Sequence, residues 1–146
     1  MIGEQLMVSS GYPTMTVGIL VSKIGGADNT YVTYLQEYDA DNDTWTTLGS
    51  ASSPNGSSAS SFTSVPNVPI GPLLRVRGYR SYGCSYTRAQ FGLVLGSDLN
   101  IQTTPFPTVG PWGYNASQNR WGAYTPNNSP YQNCAAENYY LHFILE

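Results

Sequence analysis

Charged residues are scarce in this sequence. They make up 10% of its 146 residues, against about 25% in an ordinary soluble domain. Lys23 is the single lysine, His142 is the single histidine, and the formal net charge is -3. Because this balance leaves no basic patch for a phosphate backbone, nucleic acid is excluded as a partner. The polar surface must therefore consist mainly of Ser, Thr, Asn, Gln, Tyr and Gly.

Long apolar runs and an export signal are also lacking. The longest apolar stretch, Val17–Val21, is far too short to cross a membrane. The first residues, Met1–Val8, have neither the basic region nor the long apolar region of a signal peptide. We therefore expect no membrane insertion. A surface rich in Tyr, Asn, Ser and Thr and poor in lysine is common in proteins that work outside the cell. We therefore expect a protein that is made in a cytoplasm and released by lysis, or one whose signal has been removed.

Cysteine is limited to Cys84 and Cys134. One disulfide bond between them would close a long loop and stabilise the fold by about 4 kcal/mol through chain entropy. Two buried, reduced thiols are the alternative. The chain has no CxxC motif and no Cys/His cluster, so we expect neither a structural zinc ion nor any other cofactor.

Catalytic motifs are missing as well. The sequence has no nucleophile elbow, no glycine-rich phosphate loop and no HExxH motif. Any histidine-dependent nucleophile would have to use His142, with Cys84 or Cys134 as the thiol. His142 lies within an alternating strand pattern, and a histidine in that position is usually packed or hydrogen-bonded. The acidic residues cluster in one turn rather than in a facing pair. The sequence therefore predicts a protein that is not an enzyme.

What the sequence does have is alternation of apolar and other residues with a period of two. Thr14–Val21, Thr87–Leu95 and Tyr139–Leu145 each place every second residue on one apolar face. The last of these is apolar on both faces, which predicts a central or covered strand. The 15 glycines and 10 prolines leave little room for long helices. The fold class predicted is all-β: a single domain over 1–146, forming an antiparallel two-sheet sandwich of jelly-roll-like type.

Two segments interrupt the strand pattern. Gly49–Ser61 consists of small residues and predicts an exposed, mobile loop. Residues 104–134 show no clear strand, yet they hold two of the three tryptophans and a near-repeat of Trp112–Asn119 at Trp121–Asn128. A loop of this length is uncommon unless it is functional or disordered. Its aromatic rings beside amides suit sugar stacking or a protein interface, with self-packing as the alternative. The candidate residues are Trp112, Tyr114, Asn115, Trp121, Tyr124 and Tyr131.

Asp39, Asp41 and Asp43 have the spacing of the first ligands of a calcium loop. The rest of that motif is absent, because Thr44 occupies the glycine position and Ser50 the position of the bidentate glutamate. A hairpin turn whose Asp and Asn side chains bond their own backbone explains the same residues. The sequence therefore favours a turn, with a weak surface calcium site as the alternative.

Most of the positive charge lies in two neighbouring strand patterns. Arg75 and Arg77 share one strand face, and Arg88 lies in the next strand. Cross-strand pairing with carboxylates such as Glu37 is one interpretation. The other is a docking face for an acidic partner subunit. The sequence leaves both interpretations open.

The block from Tyr31 to Leu95 resembles small β-sandwich modules of bacteriophage virion proteins. The strand Val32–Gln36 leads into an Asp/Asn turn and the Trp-Thr step of Asp43–Thr46, and a Gly/Ser loop precedes the arginine strand Leu74–Arg77. In that pattern a final strand pairs back onto the block. The modules it resembles are found on capsid decoration (cement) proteins and on tail tips or fibres. The resemblance covers less than half of the chain and transfers no functional residue.

These observations predict a structural protein of the virion surface. The leading hypothesis is a capsid decoration protein that binds across capsid subunits as a homo-oligomer, with a trimer favoured. The alternative is a carbohydrate-binding module, lectin or receptor-binding tail tip that uses the aromatic loop. A secreted toxin or adhesin is a third hypothesis.

Overall fold

The computed structural model describes residues 11–24, 29–53, 59–83, 88–95, 101–104, 112–124 and 135–146. This part of the chain forms strands and turns without a helix. The strands are β1 (Thr14–Ile24), β2 (Tyr31–Asp39), β3 (Thr44–Ser53), β4 (Ala59–Pro69), β5 (Leu73–Arg80), β6 (Arg88–Val94), β7 (Ile101–Thr103), β8 (Gly113–Asn115), β9 (Arg120–Tyr124) and β10 (Glu137–Leu145).

The ten strands form two five-stranded antiparallel sheets. The first sheet has the order β4-β1-β6-β9-β8, and the second has the order β3-β2-β5-β10-β7. The two sheets pack face to face, so the predicted two-sheet sandwich is confirmed. Seven of the nine steps between consecutive described strands change sheet, as in jelly rolls. The exceptions are the hairpins β2–β3 and β8–β9.

The core lies between the sheets and is built by the predicted alternation. Val17, Ile19 and Val21 of β1 are fully buried, as are Phe91 and Leu93 of β6. The same period buries Leu141, Phe143 and Leu145 of β10. β10 lies between β5 and β7, so its predicted central position is confirmed. Its second apolar face points away from the core, onto the outer surface of the second sheet.

The predicted small-residue loop is wrong at both ends. Residues 49–53 belong to β3 and residues 59–61 to β4. Small residues suit these strands because the opposite sheet lies very close. A Cβ atom added to Gly49 would lie 2.5 Å from Cγ2 of Val65. Ala51 and Ser53 are also buried. Residues 54–58 lie outside the described part.

The long segment 104–134 is not strandless either. Its near-repeat forms a hairpin rather than two equivalent units, because β8 pairs with β9 and places Tyr114 opposite Trp121. β9 also pairs with β6, which extends the first sheet. These strands are only three and five residues long, which explains why the sequence pattern did not reveal them. Cys84, Cys134 and the disulfide bond predicted between them lie outside the described residues.

Candidate functional site

The three aspartates of the candidate calcium site lie in the β2–β3 turn. The Asp39 carboxylate accepts hydrogen bonds from the Asp41 N–H (3.1 Å) and from Nδ2 of Asn42 (2.8 Å). The Asn42 side chain is the main cause of a lowered pKa of Asp39. Asp43 adopts a positive φ of 51°, which short polar residues tolerate in turns. No cluster of three or more His, Cys, Asp or Glu in the described part could hold a metal ion. These carboxylates organise the turn.

The aromatic residues of the β8–β9 hairpin do not form one platform. Trp112 and Trp121 are half-buried against the core, and Nε1 of Trp112 donates to the carbonyl oxygen of Tyr139 (3.1 Å). Tyr114 is exposed, meets Trp121 edge-on at 5.8 Å between ring centroids, and donates from its hydroxyl to Oδ1 of Asn119 (2.7 Å). Tyr124 is exposed on the opposite face of β9 from Trp121.

Two further residues of that candidate set remain. Oδ1 of Asn115 accepts hydrogen bonds from the backbone N–H groups of Ser117 (3.1 Å) and Gln118 (3.2 Å). Asn115 therefore shapes the hairpin turn. Tyr131 lies outside the described residues.

The three arginines of the predicted docking face do not share a surface. Arg75 and Arg77 point outward from β5 in the second sheet, and Leu74 and Val76 point inward as expected. Arg88 begins β6, which belongs to the first sheet. The expected pairing of a final strand back onto the Tyr31–Leu95 block is wrong, because β6 pairs with β1 and β9, which lie outside that block.

The alternative of pairing with Glu37 is also wrong. The β2–β5 register places Gln36 opposite Arg75 and Glu37 opposite Leu74. Nε of Arg75 donates to Oε1 of Gln36 (2.7 Å). A shift of one residue along a strand moves a side chain to the other face of the sheet, so Glu37 cannot neutralise this arginine from the outer face.

Arg75 and Arg77 lie at the centre of a surface that we call the arginine–aromatic face. It consists of outward-pointing side chains of β2, β3, β5 and β10, the first four neighbouring strands of the second sheet. Its members are Tyr34, Gln36, Tyr38, Trp45, Arg75, Arg77, Tyr79, Asn138, Tyr140 and His142.

The rings of this face hold both guanidinium groups. Cζ of Arg75 lies 4.2 Å from the ring centroid of Trp45 and 4.6 Å from that of Tyr140. Cζ of Arg77 lies 5.1 Å from the Tyr34 centroid and 5.2 Å from the Tyr79 centroid. These distances are within the range of cation–π attraction. Each guanidinium group thus lies against two aromatic rings.

Amide side chains fix the same two arginines from neighbouring strands. Oε1 of Gln36 accepts from Nε of Arg75, and Nε2 of Gln36 donates to Oγ1 of Thr47 (3.1 Å). Oδ1 of Asn138 accepts from Nε of Arg77 (2.6 Å). These bonds use the Nε–H groups. Within the described residues, the terminal Nη groups of both arginines make no ion pair or hydrogen bond.

The face carries positive charge that no carboxylate on it balances. None of the described outward-facing strand positions of β2, β3, β5 and β10 is Asp or Glu. Asp43 lies at the rim, where it accepts a hydrogen bond from the Tyr38 hydroxyl (2.8 Å). Burial lowers the pKa of Arg75; Tyr140 opposes this shift, and the charge of Arg77 adds to it more weakly. His142 is 6% exposed, with its ring centroid 5.3 Å from that of Trp45. It therefore supports the surface by packing.

The sequence missed this arrangement although a signal was present. Tyr79 and Tyr140 alternate with buried residues in the same way as Arg75 and Arg77. Their positions in the alternating pattern already indicate that Tyr79 and Tyr140 point outward, as Arg75 and Arg77 do. Which strands are neighbours, however, could not be read from the sequence.

A second polar cluster lies between the sheets at one end of the sandwich. Arg80 is 1% exposed; its Nη2 forms an ion pair with Oε1 of Glu137 (2.8 Å) and donates to the carbonyl oxygen of Ala135 (2.7 Å). Asn29 is buried and donates to the carbonyl oxygens of Ser81 and Gly83. Lys23 is buried on the inner face of β1, and burial lowers its pKa. Lys23 and Arg80 thus occupy core-facing positions at the ends of β1 and β5.

Tyr139 joins this cluster, and we expect it to make the fold sensitive to alkali. Burial first, and then the charge of Glu137, raise its pKa to about 12 from the ordinary 10.0. The folded state therefore holds this proton more tightly than the unfolded state, so stability is lost as the pH rises from 10 towards 12. We expect the wild type to lose about 2 kcal/mol more than Tyr139→Phe over this interval. Urea unfolding at several pH values measures the difference; parallel curves would contradict it.

Comparisons with protein-family models, curated proteins and solved structures found no match to this chain. Among the described residues, no helix is long and apolar enough to cross a membrane. The structure therefore defines a β-sandwich whose second sheet carries the arginine–aromatic face.

Proposed function

We propose that this protein is a non-enzymatic surface protein of a virus particle, a decoration protein that docks on capsid subunits through the arginine–aromatic face. One observation carries the proposal: two guanidinium groups are held on aromatic rings at the centre of a sheet surface, and no described strand residue of that surface is a carboxylate that could neutralise them. The resemblance of Tyr31–Leu95 to phage virion modules supplies the setting.

The residue types of the face support docking. Tyr, Trp and Arg are the side chains most enriched among the residues that dominate binding energy at protein interfaces. Ring stacking and amide bonds already hold Arg75 and Arg77 in place, so binding would cost little additional side-chain entropy. A protein that binds without rearrangement suits a decoration role, in which many copies cover a rigid particle.

The proposal includes a symmetric homo-oligomer, with a trimer as the expected state, since soluble oligomers are usually closed and symmetric. Light scattering coupled to size-exclusion chromatography measures this directly. A monomer at all concentrations would remove the oligomer from the proposal but would leave the docking face to be tested.

The docking face can be tested with two single variants of equal charge change. Arg75→Ala removes the central arginine, whereas Arg120→Ala removes an arginine from β9 of the first sheet, where Nη2 donates to Oε1 of Gln90 (2.9 Å). We expect Arg75→Ala to weaken binding to particles of the encoding virus by at least about tenfold, the usual cost of losing an interface anchor. We expect Arg120→Ala to bind like the wild type. Co-sedimentation with particles lacking the protein gives the affinities.

Circular dichroism and thermal unfolding would establish that both variants are folded. Equal binding by the two variants would contradict docking through the arginine–aromatic face. A complete failure of the folded wild type to bind its particles would contradict the decoration function itself.

A lectin or receptor-binding tail tip is the second candidate function. The exposed rings of Tyr114 and Tyr124 favour it, and the Tyr114 hydroxyl lies beside the amide of Asn119. Since the two rings lie on opposite faces of the hairpin, each would form a separate contact. Binding on a glycan array that is lost in Tyr114→Ala or Tyr124→Ala would support this candidate over the first.

A further inference from the structure

The spacing of Arg75 and Arg77 indicates what kind of partner the arginine–aromatic face accepts. The two residues occupy alternate positions of β5 and point to the same side. Alternate residues of a strand are roughly 6.5–7 Å apart along its axis. Each arginine is held by an amide of a neighbouring strand, Arg75 by Gln36 on β2 and Arg77 by Asn138 on β10, so the sheet keeps both side chains in place.

The orientation of the two groups determines which of their atoms a partner can reach. Aromatic rings lie within 5.2 Å of both Cζ atoms, and amide oxygens occupy the Nε–H groups. The Nη groups remain as donors. A guanidinium edge with parallel N–H donors matches the two oxygens of a carboxylate. The geometry thus offers two carboxylate positions, one at each arginine.

The charge distribution of the protein favours the same ligand. The chain carries a net charge of -3, yet the arginine–aromatic face is positive. Arg80 is paired with Glu137 in the interior. Arg120 lies in the first sheet, where it bonds to the amide of Gln90. An acidic partner would therefore be attracted to this face and repelled by much of the remaining surface. Partial burial of Arg75 strengthens its attraction for an anion, because fewer water molecules compete.

We propose that the arginine–aromatic face binds an extended acidic segment of a partner protein, whose residues i and i+2 are carboxylates that contact Arg75 and Arg77. Alternate residues of an extended chain point to one side at the spacing of the two arginines. A protein segment fits better than an acidic sugar, because the amides that would recognise hydroxyl groups, Gln36 and Asn138, already bond the arginines. This inference names the partner chemistry of the proposed docking site and rests on that function.

Two synthetic peptides of identical composition and charge test the spacing. One contains Thr-Glu-Thr-Glu-Thr, which places both carboxylates on one side, and the other contains Thr-Glu-Glu-Thr-Thr, which places them on opposite sides. Titration of isotope-labelled protein by NMR would report the affinity and the site. We expect the alternating peptide to bind at least about fivefold more tightly and to shift the Nε–H signals of Arg75 and Arg77.

Protein variants complete the experiment. Arg75→Gln or Arg77→Gln should remove the preference for the alternating peptide, while Arg120→Gln should keep it. Equal affinity for both peptides, abolished by moderate salt, would show charge attraction without spacing and would overturn the inference. Binding of a sialylated or uronic oligosaccharide that depends on Arg75, without binding of either peptide, would replace the acidic segment by a glycan.

The failure of this inference can be distinguished from failure of the proposed function. If neither peptide binds but particles are still bound in an Arg75-dependent manner, the docking face stands and the acidic segment is wrong. If the particles are not bound either, both proposals fail.

Discussion

Replacing Arg80 with methionine is expected to lower the free energy of unfolding by about 3 kcal/mol. The Arg80 side chain is 1% exposed, and it neutralises Glu137 from inside the sandwich at 2.8 Å. Methionine fills much of the same space but leaves the Glu137 carboxylate without its counter-charge and removes the hydrogen bond from Nη2 to the Ala135 carbonyl oxygen. Removing one member of a buried pair is costly because the other charge remains in a poorly solvated position. Urea unfolding at neutral pH measures the loss.

The double variant Arg80→Met/Glu137→Leu separates this cause from a loss of packing. Removing both charges should restore a substantial part of the lost stability, because apolar replacements of a buried pair are often neutral or stabilising. If the double variant is less stable than Arg80→Met alone, then Glu137 does not depend on Arg80, and the charge explanation is wrong.

Gly78→Ala is expected to destabilise the fold by about 3 kcal/mol. A Cβ atom at Gly78 would lie 2.5 Å from Cδ2 and 2.6 Å from Cγ of Phe91 on the opposite sheet. Phe91 is fully buried, with Tyr31 and Tyr139 at centroid distances of 6.3 and 6.0 Å. The ring cannot withdraw without disturbing both neighbours, and overpacking of this kind typically costs about 1–3 kcal/mol.

Gly113→Ala is the matched control. It changes a glycine of β8 in the same way, but no atom lies within 4 Å of the added Cβ. We expect its free energy of unfolding to stay within about 0.5 kcal/mol of the wild type. A similar loss in both variants would show that the cost comes from the glycine backbone rather than from Phe91.

Strand alternation allowed the fold class and much of the core to be predicted. The inward faces of β1, β6 and β10 follow directly from apolar residues at every second position, because only burial selects for that pattern. The two apolar faces of β10 correctly placed it inside a sheet. The outward side chains of β10 form part of the arginine–aromatic face, where Tyr140 and His142 pack beside Arg75.

The remaining errors arise where local sequence does not determine the neighbours of a strand. β4 pairs with β1. Its Ser- and Thr-rich beginning nevertheless resembles a loop, because small polar residues occur both in loops and in strands. Arg88 follows Arg80 closely in sequence, yet a change of sheet separates their strands. Gln36 rather than Glu37 lies opposite Arg75, because an error of one residue in the predicted register puts the wrong side chain beside its neighbour.

The candidate site was predicted in part for a similar reason. The sequence singled out Arg75 and Arg77 and placed them on an outward face. The rings that hold them come from β2, β3, β5 and β10, so their convergence depends on the order of strands in the second sheet. The conspicuous tryptophans Trp112 and Trp121 instead pack against the core.

The position of β10 has a consequence for the order of events during synthesis. β10 is the last described strand to leave the ribosome, yet it lies between β5 and β7 in the interior of its sheet. Until it has been made, the hydrogen-bonding edge of β5 lacks its β10 partner and β7 lacks its described neighbour, a state prone to pairing with other chains. Asn138, Tyr140 and His142 arrive with the same strand. A chain without β10 would therefore be aggregation-prone and would lack part of the arginine–aromatic face.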